Sequence, residues 1–270
     1  MLRVMLEAER SFELRPAPPA ERSQLELAHD EQYVRAILQG DVDPRVMRRI
    51  GFPWSEALVR RTLASVGGTL AASRDAMSSG LGGNLAGGTH HAFRGEGSGF
   101  CIFNALAVAV LTLRRDGLAA RAAVIDLDVH QGDGTAAIFE SDPNVLTISI
   151  HGENNFPFRK QRSRIDIGLN DGTGDDEYIE HVRRMLPTVL AFHPQVIFYQ
   201  AGVDGLASDH LGRLALTHQG LGRRDRLVLE AARVHGIPMV ITLGGGYSDP
   251  IEATAQAHAN TFRIAAQVYD

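Results

Sequence analysis

Residues 123–134 read Ala-Val-Ile-Asp-Leu-Asp-Val-His-Gln-Gly-Asp-Gly. The apolar, β-branched run predicts a strand, and Asp126, Asp128 and His130 follow at intervals of two residues. Because side chains alternate along a strand, these three groups lie on one face of the strand end. Carboxylates and imidazoles are ligands of zinc and similar divalent ions. Buried acids without a cation would repel one another, so the pattern favours a metal site over ordinary helix-capping and turn residues.

Strand and helix signals alternate after a helix-rich first third, in which a helix over 56–79 ends at Gly80. The later elements are predicted in this order: helix 101–116 (ended by Gly117), strand 121–127, helix 133–140, strand 144–150, helix 175–191, strand 195–201, helix 218–235, strand 237–243 and helix 249–267. Thr217 caps the penultimate helix, and Asp249 with Pro250 marks the start of the last one. We therefore predict an α/β fold, with a central parallel sheet between two helical layers, in one domain over residues 1–270.

Composition excludes several classes of protein. A net charge of −5 gives no basic stripe for nucleic acid, and no apolar run approaches the ~18 residues that a membrane span needs. The single cysteine, Cys101, excludes a disulfide framework and agrees with a reducing compartment. The N-terminus becomes charged before a signal-peptide apolar region can form, so we expect a cytoplasmic protein.

Further polar residues follow the other predicted strands. Ser149 and His151 end one strand, Asp204 follows a second, and Tyr247 follows a glycine triplet, Gly244 to Gly246, after a third. In open α/β sheets ligands bind outside the carboxyl ends of the strands. We therefore expect these residues to share one rim of the sheet.

A histidine pair, His90-His91, lies in the glycine-flanked segment Gly-Gly-Thr-His-His. Both imidazoles can point into one pocket, and Asp126 and Asp133 can each orient one of them. The histidines at positions 29, 181, 193, 218, 235 and 258 are expected to be surface or hydrogen-bonded core residues.

At this point the motifs resemble those of zinc-dependent histone deacetylases and bacterial deacetylase-like amidohydrolases, in order and with similar spacing. The resemblance covers roughly residues 25 to 268. It is carried by Gly-Gly-Thr-His90-His91, Gly99-Phe100-Cys101, Asp126-Leu-Asp128-Val-His130-Gln-Gly-Asp133-Gly, Ala-Gly-Val-Asp204 and Gly-Gly-Gly-Tyr247. Two segments, 175–178 and 209–214, resemble those of class IV members. Because class IV members prefer long fatty-acyl groups, this resemblance implies the same preference here.

The resemblance implies roles for the matching residues. Asp128, His130 and Asp204 match three zinc ligands, which leave one position open. The other implied roles are His91 as general base, His90 as its electrostatic partner, Asp126 and Asp133 as the carboxylates that orient His90 and His91, and Tyr247 as hydrogen-bond donor to the oxyanion.

The resemblance also implies a substrate tunnel and a second cation. Phe100 and Phe156 match its aromatic walls, and the Gly99 carbonyl would accept the substrate amide N–H. A structural potassium ion is expected on Asp126, on Ser149 and on backbone oxygens of residues 128, 130 and 150. The family's opening strand and rim loop are not found in this sequence, which suggests either truncation or an unusually open rim.

Several functions remain open at this point. The first is removal of acetyl or longer acyl groups from Nε-acyl-lysine, and the second is deacetylation of polyamines or other small amides. Leu211 stands where acetylpolyamine deacetylases carry an acidic residue, which favours acyl-lysine. A non-catalytic acyl-lysine or metal-binding protein is a third, but mere binding does not need a proton relay. Leu206 stands where an arginase-like binuclear manganese site would need an aspartate, which argues against that enzyme. No G-x-G-x-x-G follows the first predicted strand, which argues against a dinucleotide-binding protein.

Overall fold

The computed structural model describes residues 1–9 and 11–270. Within these residues the elements are α1 (Leu2–Glu9), α2 (Arg22–Leu25), α3 (Glu31–Gln39), α4 (Pro44–Ile50), α5 (Glu56–Ser79), β1 (Leu81–Gly87), α6 (Ala105–Arg115), β2 (Ala122–Asp126), α7 (Asp133–Phe139), β3 (Val145–Gly152), β4 (Ile165–Leu169), α8 (Asp175–Ala191), β5 (Val196–Gln200), α9 (His218–Val234), β6 (Met239–Leu243) and α10 (Ile251–Tyr269). The strands form one parallel sheet in the order β1-β6-β5-β2-β3-β4. This confirms the predicted α/β architecture.

Strand β2 lies inside the sheet and is buried on both faces. Ala123 and Ile125 belong to one hydrophobic cluster, with α1, α8, α9 and α10, while Ala122 and Val124 belong to another, with α2 to α7. Alternate side chains of a strand point to opposite faces, so each helical layer packs on its own set. The result is the predicted three-layer arrangement. None of the helices in residues 1–9 and 11–270 is both long and apolar enough to cross a membrane.

Two strands were not predicted. Strand β1 reads Leu-Gly-Gly-Asn-Leu-Ala-Gly, which lacks the β-branched residues typical of strands, and it forms because it pairs with β6 and packs on α5. Strand β4 is a half-exposed edge strand that pairs with β3. A Cβ on Gly82 would lie 2.0 Å from the carbonyl oxygen of Ala72 in α5, so the close approach of helix and strand needs glycine there.

Most predicted element boundaries are confirmed to within two residues. Helix α5 ends at Gly80, whose φ is 91°, and the Thr217 hydroxyl accepts from the backbone N–H of Gly220 as the N-cap of α9. The predicted helix 101–116 starts too early. Its observed start is Ala105, because the Asn104 side chain caps it by accepting from the Ala107 N–H.

Buried His29 joins the α2–α3 connection to the segments that flank the histidine pair. Its Nδ1 lies 2.8 Å from the Phe93 carbonyl oxygen, and its Nε2 lies 2.9 Å from the Asn104 N–H nitrogen. Only the neutral ring can donate at one nitrogen and accept at the other. Burial lowers the pKa of His29 to about 4, which agrees with that arrangement.

We expect this histidine to make stability depend on pH. The folded-state pKa lies below the unfolded value of about 6.5, so protons favour the unfolded chain, and the contribution of His29 is complete above pH 6.5 and is lost as pH falls toward 4. Between pH 7 and 5 the loss should be roughly 1–2 kcal/mol. Urea unfolding at both pH values should show a weaker pH dependence for His29→Gln than for wild type. An equal pH dependence in His29→Gln and in the exposed-site control His218→Gln would contradict this assignment.

Candidate active site

The predicted ligand residues converge at the carboxyl edge of the sheet. Asp128 follows β2 and Asp204 follows β5, two strands that are neighbours in the sheet. The ligand atoms of Asp128, His130 and Asp204 all lie within 4.8 Å of one another. His130 Nδ1 is 3.0 Å from Asp128 Oδ1 and 3.0 Å from Asp204 Oδ2. Two carboxylates and one imidazole therefore meet at one point.

The electrostatics of this cluster fit a cation. Both carboxylates are essentially buried. Burial alone would lower the pKa of His130, but the hydrogen bonds that its imidazole donates to Asp128 and Asp204 outweigh burial and raise the pKa to about 11. The protein thus requires positive charge between the carboxylates. The donor set, two carboxylate oxygens and an imidazole nitrogen, suits a divalent metal that would take the place of that proton.

Two histidine–carboxylate pairs lie beside the cluster. His90 Nδ1 is 2.6 Å from Asp126 Oδ2, and His91 Nδ1 is 2.6 Å from Asp133 Oδ1. The two imidazole centroids are 4.1 Å apart, and the His91 centroid is 6.1 Å from that of His130. The sequence-based assignment of one acid to each histidine agrees with these contacts.

The pKa values of the two imidazoles are shifted in opposite directions. Burial disfavours the charged form of His90, but Asp126 and Asp128 outweigh it and raise its pKa to about 9. Burial and the neighbouring His90 and His130 lower the pKa of His91 well below its usual value. His91 is therefore neutral at pH 7. Since its Nδ1 faces Asp133, its Nε2 is the nitrogen available to take up a proton.

Gly99 and Phe100 line the mouth of the site in a strained turn. Gly99 has φ of 51°, and a Cβ there would lie 2.6 Å from His91 Cδ2, so only glycine fits. Phe100 also has a positive φ, 63°, which is rare for an aromatic residue and holds its ring outward, 49% exposed. The Phe156 ring meets the His91 ring edge-on, with a centroid distance of 5.0 Å.

The Asp209 carboxylate connects two further residues at the rim of the site, Leu211 and Tyr247. One of its oxygens accepts the backbone N–H of Leu211 at 2.8 Å, and the other accepts that of Tyr247 at 2.5 Å. The Tyr247 ring lies 6.4 Å from that of Phe100 and is 41% exposed, while Leu211 is 46% exposed. Burial and nearby Asp128 and Asp204 raise the pKa of Tyr247 to about 12. Its phenol is therefore protonated, and a hydrogen-bond donor, at neutral pH.

The residues predicted to bind potassium, Asp126 and Ser149, lie next to each other, and each already contacts a histidine side chain. Asp126 and Ser149 stand opposite each other in the β2–β3 register, and both are buried. Ser149 Oγ lies 2.9 Å from His151 Nδ1.

Comparison with known proteins agrees with this geometry. Residues 1–264 match the Histone deacetylase domain family. The chain belongs to the histone deacetylase family. It is therefore a hydrolase of that family, as the sequence motifs predict.

Relatives in this family come from bacteria and eukaryotes. The chain is 49% identical over 250 residues to an uncharacterized protein of Picosynechococcus sp., covering 92% of this chain and 83% of the relative. It is 33% identical to the acetoin utilization protein AcuC of Bacillus subtilis and 31% identical to Histone deacetylase 2 of Arabidopsis thaliana, covering 84% and 85% of this chain. This chain spans 65% and 62% of the lengths of those two proteins.

A solved structure confirms the fold relationship. A crystal structure of an HDAC homolog complexed with SAHA superposes with a TM-score of 0.80, at 27% sequence identity, over 93% of this chain and 72% of that one.

A buried arginine that the sequence motifs do not indicate lies behind the Asp128, His130 and Asp204 cluster of this histone deacetylase family member. Arg224 is fully buried, and its guanidinium donates to the carbonyl oxygens of Leu127 and Gly202 at 3.3 and 2.5 Å. These carbonyls lie next to Asp128 and close to Asp204 in the chain. Asp225 neutralises the guanidinium and also accepts from Thr261 at 2.7 Å. The Arg-Asp dipeptide within a predicted amphipathic helix was the available signal.

We expect Asp204→Asn to lose metal affinity while it retains the fold. The amide oxygen can still accept the Val129 N–H, which lies 2.9 Å from Asp204 Oδ1, but the charge and one ligand oxygen are lost. Zinc affinity, measured by competition with a chromogenic chelator, should fall more than the roughly 10–100-fold typical of outer-shell changes. Asp142→Asn, which breaks an ion pair with Arg114 outside the site, serves as the control. Zinc affinity equal to that of the control would exclude Asp204 from the ligand set.

Proposed function

We propose that this protein is a zinc-dependent hydrolase that removes acyl groups from Nε-acyl-lysine side chains of peptides or proteins. The observation that carries the proposal is the pair of histidine–carboxylate contacts beside the Asp128, His130 and Asp204 cluster. A protein that only binds acyl-lysine or a metal does not need two oriented imidazoles with opposite pKa shifts.

The donor set of the cluster supports zinc. Asp128, His130 and Asp204 would hold the ion and leave a further position open, as in catalytic zinc sites. When bound, zinc supplies a Lewis acid that polarises an amide carbonyl and makes water more acidic.

His91 moves the proton in this proposal. Its neutral ring takes a proton from the attacking water at Nε2 and later gives one to the departing amine nitrogen. Asp133, at 2.6 Å from Nδ1, holds the ring in the required tautomer and stabilises the cation that forms. His90, paired with Asp126 and held positive, adds electrostatic stabilisation for negative charge that develops nearby.

Tyr247 and Gly99 hold the substrate amide. The protonated Tyr247 phenol donates a hydrogen bond to the carbonyl oxygen as negative charge grows on it. The Gly99 carbonyl accepts the amide N–H. Phe156, which contacts His91, and Phe100, which lies beside Tyr247, form walls for the extended methylene stem.

The rim supports acyl-lysine over acetylpolyamine. Phe100, Phe158 and Leu211 are all large apolar side chains with substantial exposure, 49%, 87% and 46%. A cationic polyamine gains no ion pair from them, whereas each buried methylene of an acyl or lysine chain gains about 0.8 kcal/mol. We therefore expect long-chain acyl groups to be accepted as well as acetyl.

We also propose a structural potassium ion on Asp126 and Ser149. Their opposed positions in the β2–β3 register and their burial support it. Equal thermal stability in potassium chloride and choline chloride at matched ionic strength would contradict it.

The substrate proposal is tested with three compounds on one zinc-loaded preparation. We expect kcat/KM for acetyl-lysine and myristoyl-lysine peptides to exceed that for N-acetylputrescine, and the myristoyl peptide to be the better of the two. A polyamine optimum would overturn the argument from Leu211. A tenfold advantage of acetyl over myristoyl would remove only the long-chain preference, and inactivity on all three would favour a binding protein.

We expect Tyr247→Phe to lower kcat by about 10²-fold or more, the scale seen when one oxyanion donor is removed. The loss should appear in kcat rather than KM, because the hydroxyl acts chiefly in the transition state. The ring and its contacts remain, so zinc content should equal that of wild type. Asp142→Asn, outside the site, is the control, and a kcat for Tyr247→Phe equal to that of this control would remove the phenol from the mechanism.

A further inference from the structure

Lys160 is the only lysine in a chain with 27 lysines and arginines. Its ammonium donates to three main-chain carbonyl oxygens, those of Glu153, Asn155 and Pro157, at 3.0, 2.6 and 2.8 Å. An ammonium has three donors, so all of them are used within one loop. The loop between β3 and β4 therefore folds around this single cation.

The same loop carries Phe156, which stands between two of the three acceptor residues. The Phe156 ring meets the His91 ring edge-on, at 5.0 Å and 80°. Residues 153–160 form neither helix nor strand, so regular backbone pairing does not fix this ring. The carbonyls on either side of it are instead fixed by the ammonium.

Contacts with the rest of the protein attach the loop on both sides of residues 156–160. Asn155 donates to the Leu211 carbonyl at 2.7 Å, and Gln131 exchanges two hydrogen bonds with the backbone of Gln161, at 2.7 and 2.8 Å. The segment with Phe156 lies between these attachments. Lys160 is thus the contact that closes the loop on itself.

We propose that Lys160 is a positioning residue that holds Phe156 against His91 and so shapes the wall of the acyl-lysine tunnel. This inference rests on the proposed function. Arginine cannot replace it, because a planar guanidinium cannot direct three donors to carbonyls that converge on one point.

The test uses Lys160→Cys with chemical restoration of the cation. The thiolate introduced at position 160 displaces bromide from 2-bromoethylamine. The product is a side chain of lysine length that ends in an ammonium. Iodoacetamide gives a neutral adduct as the matched control. The one native cysteine, Cys101, is buried, and burial raises its pKa to about 12, so the new thiol reacts selectively. Wild type treated with each reagent controls for reaction at Cys101.

We expect Lys160→Cys, its neutral adduct and Lys160→Arg to raise KM for an acyl-lysine peptide about tenfold. The change in kcat should be smaller than threefold, and zinc content should equal that of wild type. Bromoethylamine should return KM to within twofold of wild type. A wild-type KM in the unmodified variant, in its neutral adduct or in Lys160→Arg would overturn the proposal, as would failure of the ammonium adduct to restore it.

Amide hydrogen exchange over residues 153–158, measured without substrate, separates this proposal from the proposed function. Exchange should be faster in Lys160→Cys and should return to the wild-type rate with the ammonium adduct only. If wild type hydrolyses no acyl-lysine compound, the proposed function fails, and the exchange rates alone decide whether Lys160 anchors Phe156. Identical exchange in the variant and wild type would overturn the anchor.

Discussion

Two carboxylates, Asp128 and Asp204, are buried at the ends of neighbouring strands, where isolated negative charges would be strongly unfavourable. Positive charge between them resolves this, from the His130 imidazolium in the protein alone or from a metal ion in the proposed function. The parallel sheet matters because it brings separate strand ends to one edge. Behind that edge, the neutralised guanidinium of Arg224 binds the backbone that leads into both carboxylates.

The neighbouring imidazoles depend on the same charges. His90 lies close enough to the carboxylates to be held positive, and that charge, together with burial, keeps His91 neutral. One histidine of an adjacent pair thus becomes a cation and the other a base, although their sequence context is the same. The difference arises because Asp126 and Asp128 both act on His90, whereas burial and the neighbouring His90 and His130 dominate at His91.

The rim is built differently from the centre. Its residues come from loops, and polar contacts to backbone fix these loops where regular pairing does not: Asp209 binds the N–H groups of Leu211 and Tyr247, and Lys160 binds three carbonyls around Phe156. Such loops vary more readily than strands do.

The sequence alone predicted which polar residues gather at the strand ends, because Asp128 and Asp204 follow apolar strand-forming runs and the carboxyl ends of parallel strands meet at one edge of the sheet. It also determined the parallel α/β fold, through alternating strand and helix patterns. It did not reveal β1, whose glycine-rich sequence becomes a strand only by pairing with β6, nor the backbone carbonyls that Arg224 and Lys160 contact. Every residue carries a backbone carbonyl, so the sequence does not show which carbonyls the Arg224 guanidinium or the Lys160 ammonium contacts. Only the tertiary structure decides these contacts.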